Sequence, residues 1–345
     1  MTAADFVAAL PKTELHVHLE GTLEPEDLVR FAARNGVELP WRSPDEVRAA
    51  YSYTGLDEFL RLYYLGCTVL HTRADFHELT AAYLRRAAAD GVRRAEMFVS
   101  PQSFLGRVAV ADVLGGVLDA IADARTDLGV DGAVLVIAQR HRTEAEALEL
   151  LDAVAPWQDS LLGVGLGGAE LGNPPSRFAR FFADARRRGY RLTCHAGEEG
   201  PAGYVREALD CGVERIDHGI AAADDPALVA RLRDEGVPLT MCPLSNLRLR
   251  VVDDLAGYPI MALHDAGVVV SVNSDDPPYF GGYVADNHRA LAEHLGLSTA
   301  QLAALARSGF RASFAPADEI AAGVAAVEDH EARAAGSQPN VADAP

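Results

Sequence analysis

The chain has 345 residues, with 31 Lys or Arg against 50 Asp or Glu and a net charge of −19. So acidic a chain repels nucleic acid and anionic membranes, and no basic stripe interleaved with aromatics offsets it. Hydrophobic residues make up 49%, enough to bury one big barrel or two medium domains.

The first eleven residues lack a basic and apolar leader, and no apolar run is long enough to span a membrane. Cys67, Cys194, Cys211 and Cys242 include no Cys-x-x-Cys pair, so buried thiols in a reducing, cytoplasmic setting are expected.

Runs rich in Val, Ile and Leu recur at 14–19, 94–99, 133–138, 161–166, 190–195, 214–218, 238–242 and 268–273. Most lack polar alternation, as strands buried on both faces of a parallel sheet do. Helical patterns fall between them at 74–89, 111–124, 143–153, 176–188 and 226–234. This alternation predicts an α/β fold, a (β/α)8 TIM barrel. An open doubly wound sheet would want a glycine-rich phosphate turn after the first strand, where this chain has His16-Val17-His18-Leu19-Glu20-Gly21-Thr22.

Residues 22–92 read as a helical insertion, with Pro25 in a first turn and Ser43-Pro44-Asp45-Glu46 as a capping box. Its cluster of Tyr51, Tyr53, Phe59, Tyr63 and Tyr64 is expected to pack helices onto the barrel; the other reading is a lid over the mouth. Ser298-Thr299-Ala300-Gln301 opens the closing helices. Residues 1–333 read as one hydrolase barrel and 334–345 as a disordered tail.

The chemistry centres on Thr193-Cys194-His195-Ala196-Gly197-Glu198-Glu199-Gly200. A strand delivers one imidazole, small residues let the backbone bend, and a carboxylate follows three positions on. His16 and His18 share one face of the first strand. Asp217-His218 ends the sixth strand and Asp275-Asp276 follows the eighth. In a parallel barrel these ends meet at one mouth, where sites are built. Three imidazoles and one carboxylate oxygen suit Zn²⁺ or a similar divalent ion. The only lysine, Lys12, precedes the first strand and cannot bridge two ions, so one is expected. A water on such an ion has its pKa lowered towards ~7. Glu198 and His218 beside it can divide proton donation and steering of the nucleophile. That set fits hydrolytic loss of ammonia from an amidine-like C–NH₂. The other zinc deaminase architecture needs Pro-Cys-x-x-Cys, which is absent.

Five ordered segments carry a resemblance: Leu10-Pro11-Lys12-Thr13-Glu14-Leu15-His16-Val17-His18, His195-Ala196-Gly197-Glu198, Asp217-His218-Gly219, Cys242-Pro243-Leu244-Ser245-Asn246 and Asn273-Ser274-Asp275-Asp276-Pro277. The chain resembles the adenosine/adenine deaminase family of the amidohydrolase superfamily over almost its whole length. The resemblance implies one zinc per subunit, held by His16, His18, His195 and Asp275. It implies that Glu198 protonates the ring nitrogen beside the amino-bearing carbon and that His218 orients the nucleophile and takes its proton. Asp276 would bond the imidazole-ring nitrogen of the purine, and Gly168 would meet the purine through its backbone N–H.

Two positions favour the adenine type, which turns adenine and water into hypoxanthine and ammonia in purine salvage. Nucleoside enzymes place Asp against the sugar where this chain has the longer Glu20. They read Gly-His-Gly where it reads Asp217-His218-Gly219. Asp217 is expected to accept the ring N–H that a nucleoside lacks, a mismatch of roughly a few kcal/mol. Adenine deaminases carry serines at Gly167 and Gly168, so a bare pocket floor and an N6-substituted adenine form the alternative, beside adenosine. A zinc deacetylase is argued against by the turn from His195 to Glu198. A non-catalytic binding protein is argued against by the complete ligand set. The partner is a small purine, and the sequence leaves a homo-oligomer open. His141, Ser100 and Gln102 follow strands and are placed near the mouth without a role.

Overall fold

The computed structural model describes residues 2–336. Its strands are β1 (Lys12–His18), β2 (Val92–Val99), β3 (Asp131–Gln139), β4 (Gly163–Gly167), β5 (Arg191–Ala196), β6 (Arg215–His218), β7 (Leu239–Met241) and β8 (Val270–Val272). They pair in parallel in chain order, with helices between them. The predicted barrel is present, and strand bounds shift by no more than two residues. The helix expected at 176–188 instead divides into a 3₁₀ turn, Pro175–Phe178, and a helix, Ala179–Arg187.

The seam between β1 and β8 closes just past the end of β8. Val17 bridges Asp275, whose N–H donates to His16 O at 3.0 Å and whose carbonyl accepts from His18 N–H at 2.9 Å. Below that point side chains complete the pairing. Asn273 Oδ1 accepts from Leu15 N–H at 2.8 Å, and Ser274 donates to Glu14 through N–H and hydroxyl at 3.0 and 2.8 Å.

Phe98, Leu135 and Ile137 fill the barrel interior, with Leu162 and Phe314 packed against them. At the lower end Glu96 accepts from Arg215 at 2.5 Å, Arg94 at 3.0 Å and Phe314 N–H at 2.9 Å. The Arg215 guanidinium lies 4.2 Å over the Phe314 ring, so charge pairs and one aromatic plug that end.

Lys12 also points to the lower end. Its Nζ donates to Val7 O at 2.6 Å and Leu10 O at 2.7 Å, capping the helix Ala3–Ala9. Burial pushes its amine from 10.5 down to about 7. The unfolded chain therefore binds more protons between those two values, and stability should rise with pH across that window. Lys12→Met leaves two carbonyls unpaired, and a loss of about 2 kcal/mol at neutral pH is expected in urea titrations. The deficit should widen as pH is raised through the window; a pH-independent deficit would contradict the burial argument.

The insertion forms the helices Pro25–Asn35, Pro44–Ala50, Leu56–Cys67 and Arg73–Ala89. The Ser43 box is half made: Ser43 Oγ accepts from Glu46 N–H at 3.2 Å, but the Glu46 carboxylate returns to Arg42 N–H at 2.7 Å. The closing helix Ala317–Gly336 runs past residue 334, where the tail was expected to begin. Residues 337–345 of that expected tail lie outside the described residues.

Candidate active site

β1 turns His16 and His18 to the same inward face, as their spacing requires. His16 Nδ1 bonds Thr240 Oγ1 at 2.9 Å, which leaves Nε2 facing inward, buried and without a hydrogen-bond partner. That nitrogen lies 3.3 Å from Asp275 Oδ1. His18 Nε2 lies 3.5 Å from the same oxygen and 3.0 Å from His195 Nε2. Ser245 Oγ donates to the other Asp275 oxygen at 2.7 Å. Asp275 and His218 adopt φ of 66° and 63°. Left-handed backbone is strained for such residues and collects at functional sites. Here it swings both side chains off their strand ends toward the same point.

The charge states are set by burial and by neighbours. Burial drives His18 down to about 3 and His218 well below the usual imidazole range, so both are neutral. Burial would raise Asp275, but the imidazoles of His16, His218 and His18 outweigh it and hold the carboxyl well below its ordinary range. Burial pushes Glu198 well up, and the carboxylates of Asp275, Glu170 and Glu199 add to this. Two neighbouring carboxyls are thus pushed in opposite directions, the pattern that divides acid from base. His218 Nε2 stands 3.5 Å from Glu198 Oε2 and 4.0 Å from Asp275 Oδ2.

The donor set fits a divalent cation. Two imidazole nitrogens 3.0 Å apart and a third with no partner crowd around one carboxylate oxygen. A tetrahedral ion with ligands at ~2.0–2.1 Å has edges of roughly 3.3 Å, close to the separations observed. Among the described residues, the groups of His, Cys, Asp and Glu able to share an ion all lie here, one of them including Cys242.

The cavity beside this cluster is lined by His18, His195, Glu198, His218, Asp275 and Asp276, by Gly167 and Gly168, and by Ser100 and Gln139. Leu56, Phe59, Leu60, Tyr63 and Tyr64 complete the lining with Ile137. These five residues follow helical spacing on Leu56–Cys67, so one face of that helix covers the mouth. Tyr51 and Tyr53 do the packing instead: Tyr51 stacks on Tyr279 at 4.4 Å and the Tyr53 hydroxyl donates to Tyr279 O. Leu56 N–H donates to Glu199 Oε1 at 3.2 Å, tying the helix start to the turn that carries Glu198.

Asp276 reaches the cavity as expected. Its Oδ1 is buried without a partner, so it is ready to meet a donor on a ligand. Gly21 makes room for it, since a Cβ there would stand 1.7 Å from that oxygen.

Two expected substrate contacts are not brought to the cavity. Asp217 is fully buried inside the barrel, accepting from Thr193 Oγ1 at 2.5 Å and Thr240 Oγ1 at 3.1 Å. Its Oδ2 lies 3.2 Å from His195 Nδ1. Residues 195 and 217 are register partners on β5 and β6, so their side chains share the inward face. Asp217 therefore faces an imidazole rather than the cavity. Glu20 accepts from Ser100 N–H at 2.8 Å and Tyr63 hydroxyl at 3.3 Å; it sits behind these two lining residues and is not itself part of the cavity lining.

The expected bare floor is also corrected. A Cβ at Gly167 would stand 3.1 Å from Ile137, so that space is filled by an apolar side chain. Gly168 has φ of +96°, which a serine would adopt only with strain. His141 is exposed at the rim, its ring edge-on to Tyr64 at 5.9 Å. Gln102 lies back from the cavity, where Oε1 accepts from Gln139 N–H at 2.8 Å. Thr240, Ser245, Arg140 and Glu170 were not singled out from sequence. Ser245 stood in a quoted motif without a role, and the other three carry no local signal.

An eight-stranded parallel barrel thus carries at its mouth a cluster of His and Asp that could hold a metal ion. The profile of the family described as adenosine deaminase matches residues 11–329, and the chain belongs to that family. It is 49% identical over 330 residues to an adenine deaminase of Rhodopseudomonas palustris, covering 95% of this chain and 96% of that one. The crystal structure of an adenine deaminase from Arthrobacter aurescens superposes with a TM-score of 0.91 at 47% identity, covering 93% of this chain and 99% of the other. An amidohydrolase from Burkholderia ambifaria, solved with bound Zn, superposes with a TM-score of 0.89 at 28% identity, covering 98% and 95%.

Proposed function

We propose that this chain is a zinc-dependent adenine deaminase with one ion per subunit, converting adenine and water to hypoxanthine and ammonia. The observation that carries the reading is the convergence of His16, His18, His195 and Asp275, with Glu198 and His218 beside them. Near 50% identity to adenine deaminases over almost the whole chain supports adenine as the substrate. Those four residues would hold a divalent ion, which when bound would supply a Lewis acid able to acidify water near neutral pH.

The chain's own residues do the rest. Asp276 accepts from the N–H of the five-membered ring and fixes the purine's orientation. The Glu198 carboxyl gives its proton to the ring nitrogen beside C6, which makes C6 electrophilic. His218 takes the proton released by the attacking water. The water oxygen bonds to C6, the C6–N bond breaks, the amino group leaves as ammonia with the proton relayed by His218, and the remaining hydroxyl proton returns to the Glu198 carboxylate as the C6 carbonyl forms. The apolar face of Leu56–Cys67 excludes bulk water from these transfers.

The test is turnover of adenine against adenosine, followed by ultraviolet absorbance. Adenine is expected to be preferred by at least about 10²-fold in kcat/KM, within the range a mismatched polar contact can deliver. Faster deamination of adenosine would overturn the substrate assignment while leaving the site intact.

A further inference from the structure

Glu170 follows β4 and is 1% exposed. A buried carboxylate is costly unless its oxygens are bonded. Oε1 accepts from Gly197 N–H at 2.7 Å, and Oε2 accepts from Glu198, Glu199 and Gly200 N–H at 3.0, 2.9 and 2.8 Å. Four successive amides pointing one way form a nest that favours an anion, and two carboxylate oxygens offer the matching acceptor sites. Among the described residues, none of the four donates to a backbone carbonyl. Arg140, wholly buried past the end of β3, stands behind. Its Nη1 lies 4.0 Å from Glu170 Oε1 and donates to His195 O at 2.6 Å, while Nε donates to Asn173 O at 2.8 Å. The ends of β3, β4 and β5 are thereby stitched together beneath the turn that carries Glu198.

We infer that Glu170 is a positioning residue for Glu198, holding the turn at 197–200 in the conformation that aims the Glu198 carboxyl at the ring nitrogen. The inference rests on the reading of Glu198 as the proton donor. Without the clamp, a turn with glycine at both ends has, among the described residues, no other partner for its amides. A reacting group misplaced by ~1 Å loses roughly 10² in rate.

Glu170→Gln sets an NH₂ group against amide donors. In the zinc-loaded enzyme with adenine, kcat should fall about 10²-fold, with KM and zinc content changed by less than about threefold. Gly200→Ala attacks the same contact from the other side, because its methyl would stand 2.6 Å from Glu170 Oε1. It should lower kcat in the same sense, and it carries the test if Glu170→Gln does not fold. The deciding measurement is a double-mutant cycle: in a Glu198→Gln background, either change should cost less than about threefold. Equal losses in both backgrounds, or a loss confined to KM or zinc content, would overturn the inference. Near-normal turnover by Glu198→Gln alone would instead remove the proton-donor reading, so the two failures are distinct.

Discussion

Glu198→Gln is expected to lower kcat for adenine about 10³-fold, the middle of the range for a lost general acid. Glutamine matches glutamate in size, and the backbone N–H at 198 would still donate to Glu170. Fold and zinc content should therefore survive. The amide can still face the ring nitrogen, but it has no proton to give. KM should move little, because what is lost is an interaction that strengthens only as the ring nitrogen becomes basic. Single-turnover rates on zinc-quantified protein would measure this directly. A variant within tenfold of the parent would move the donor role elsewhere, with His218 the next candidate.

Such a prediction could be framed from sequence because the proposed ligands sit where strands end. Apolar runs marked each strand, and His16, His18 and His195 stood out against them. What sequence withheld was register. Nothing in Asp217-His218 says that residue 217 aligns with residue 195, and that alignment turns Asp217 into the barrel and toward an imidazole. Side-chain reach was withheld too: Glu20 stops at Ser100 N–H, behind the cavity lining. Glu170 was invisible for a third reason. Its partners are backbone amides of another loop, and amides have no sequence signature.

Removing the metal is expected to abolish turnover and to lower Tm by about 5 °C, with both restored by one equivalent of zinc. The activity loss follows from the loss of the Lewis acid. The stability loss follows from the cluster itself: His16 Nε2 has no hydrogen-bond partner, and His18 and His195 present nitrogens to each other at 3.0 Å. An ion bound at a hundred times its Kd adds about 2.7 kcal/mol, which at ~2 °C per kcal/mol for a chain of this size gives the shift. Calorimetry of chelated and reconstituted protein, with activity on the same samples, would check it. Full activity in metal-free protein would end the proposal of a zinc enzyme.

The last seam of the barrel has a consequence for how the enzyme is made. His16 and His18 lie on the first strand, while Asp275 follows the last and knits to them through its own backbone. A ribosome must therefore release nearly the entire polypeptide before the four donors can gather. Nascent chains carry the imidazoles early but not the anion that completes the set, so neither a tightly held cation nor purine turnover should arise during translation. Catalytic competence should therefore arise only when the two ends of the sheet meet.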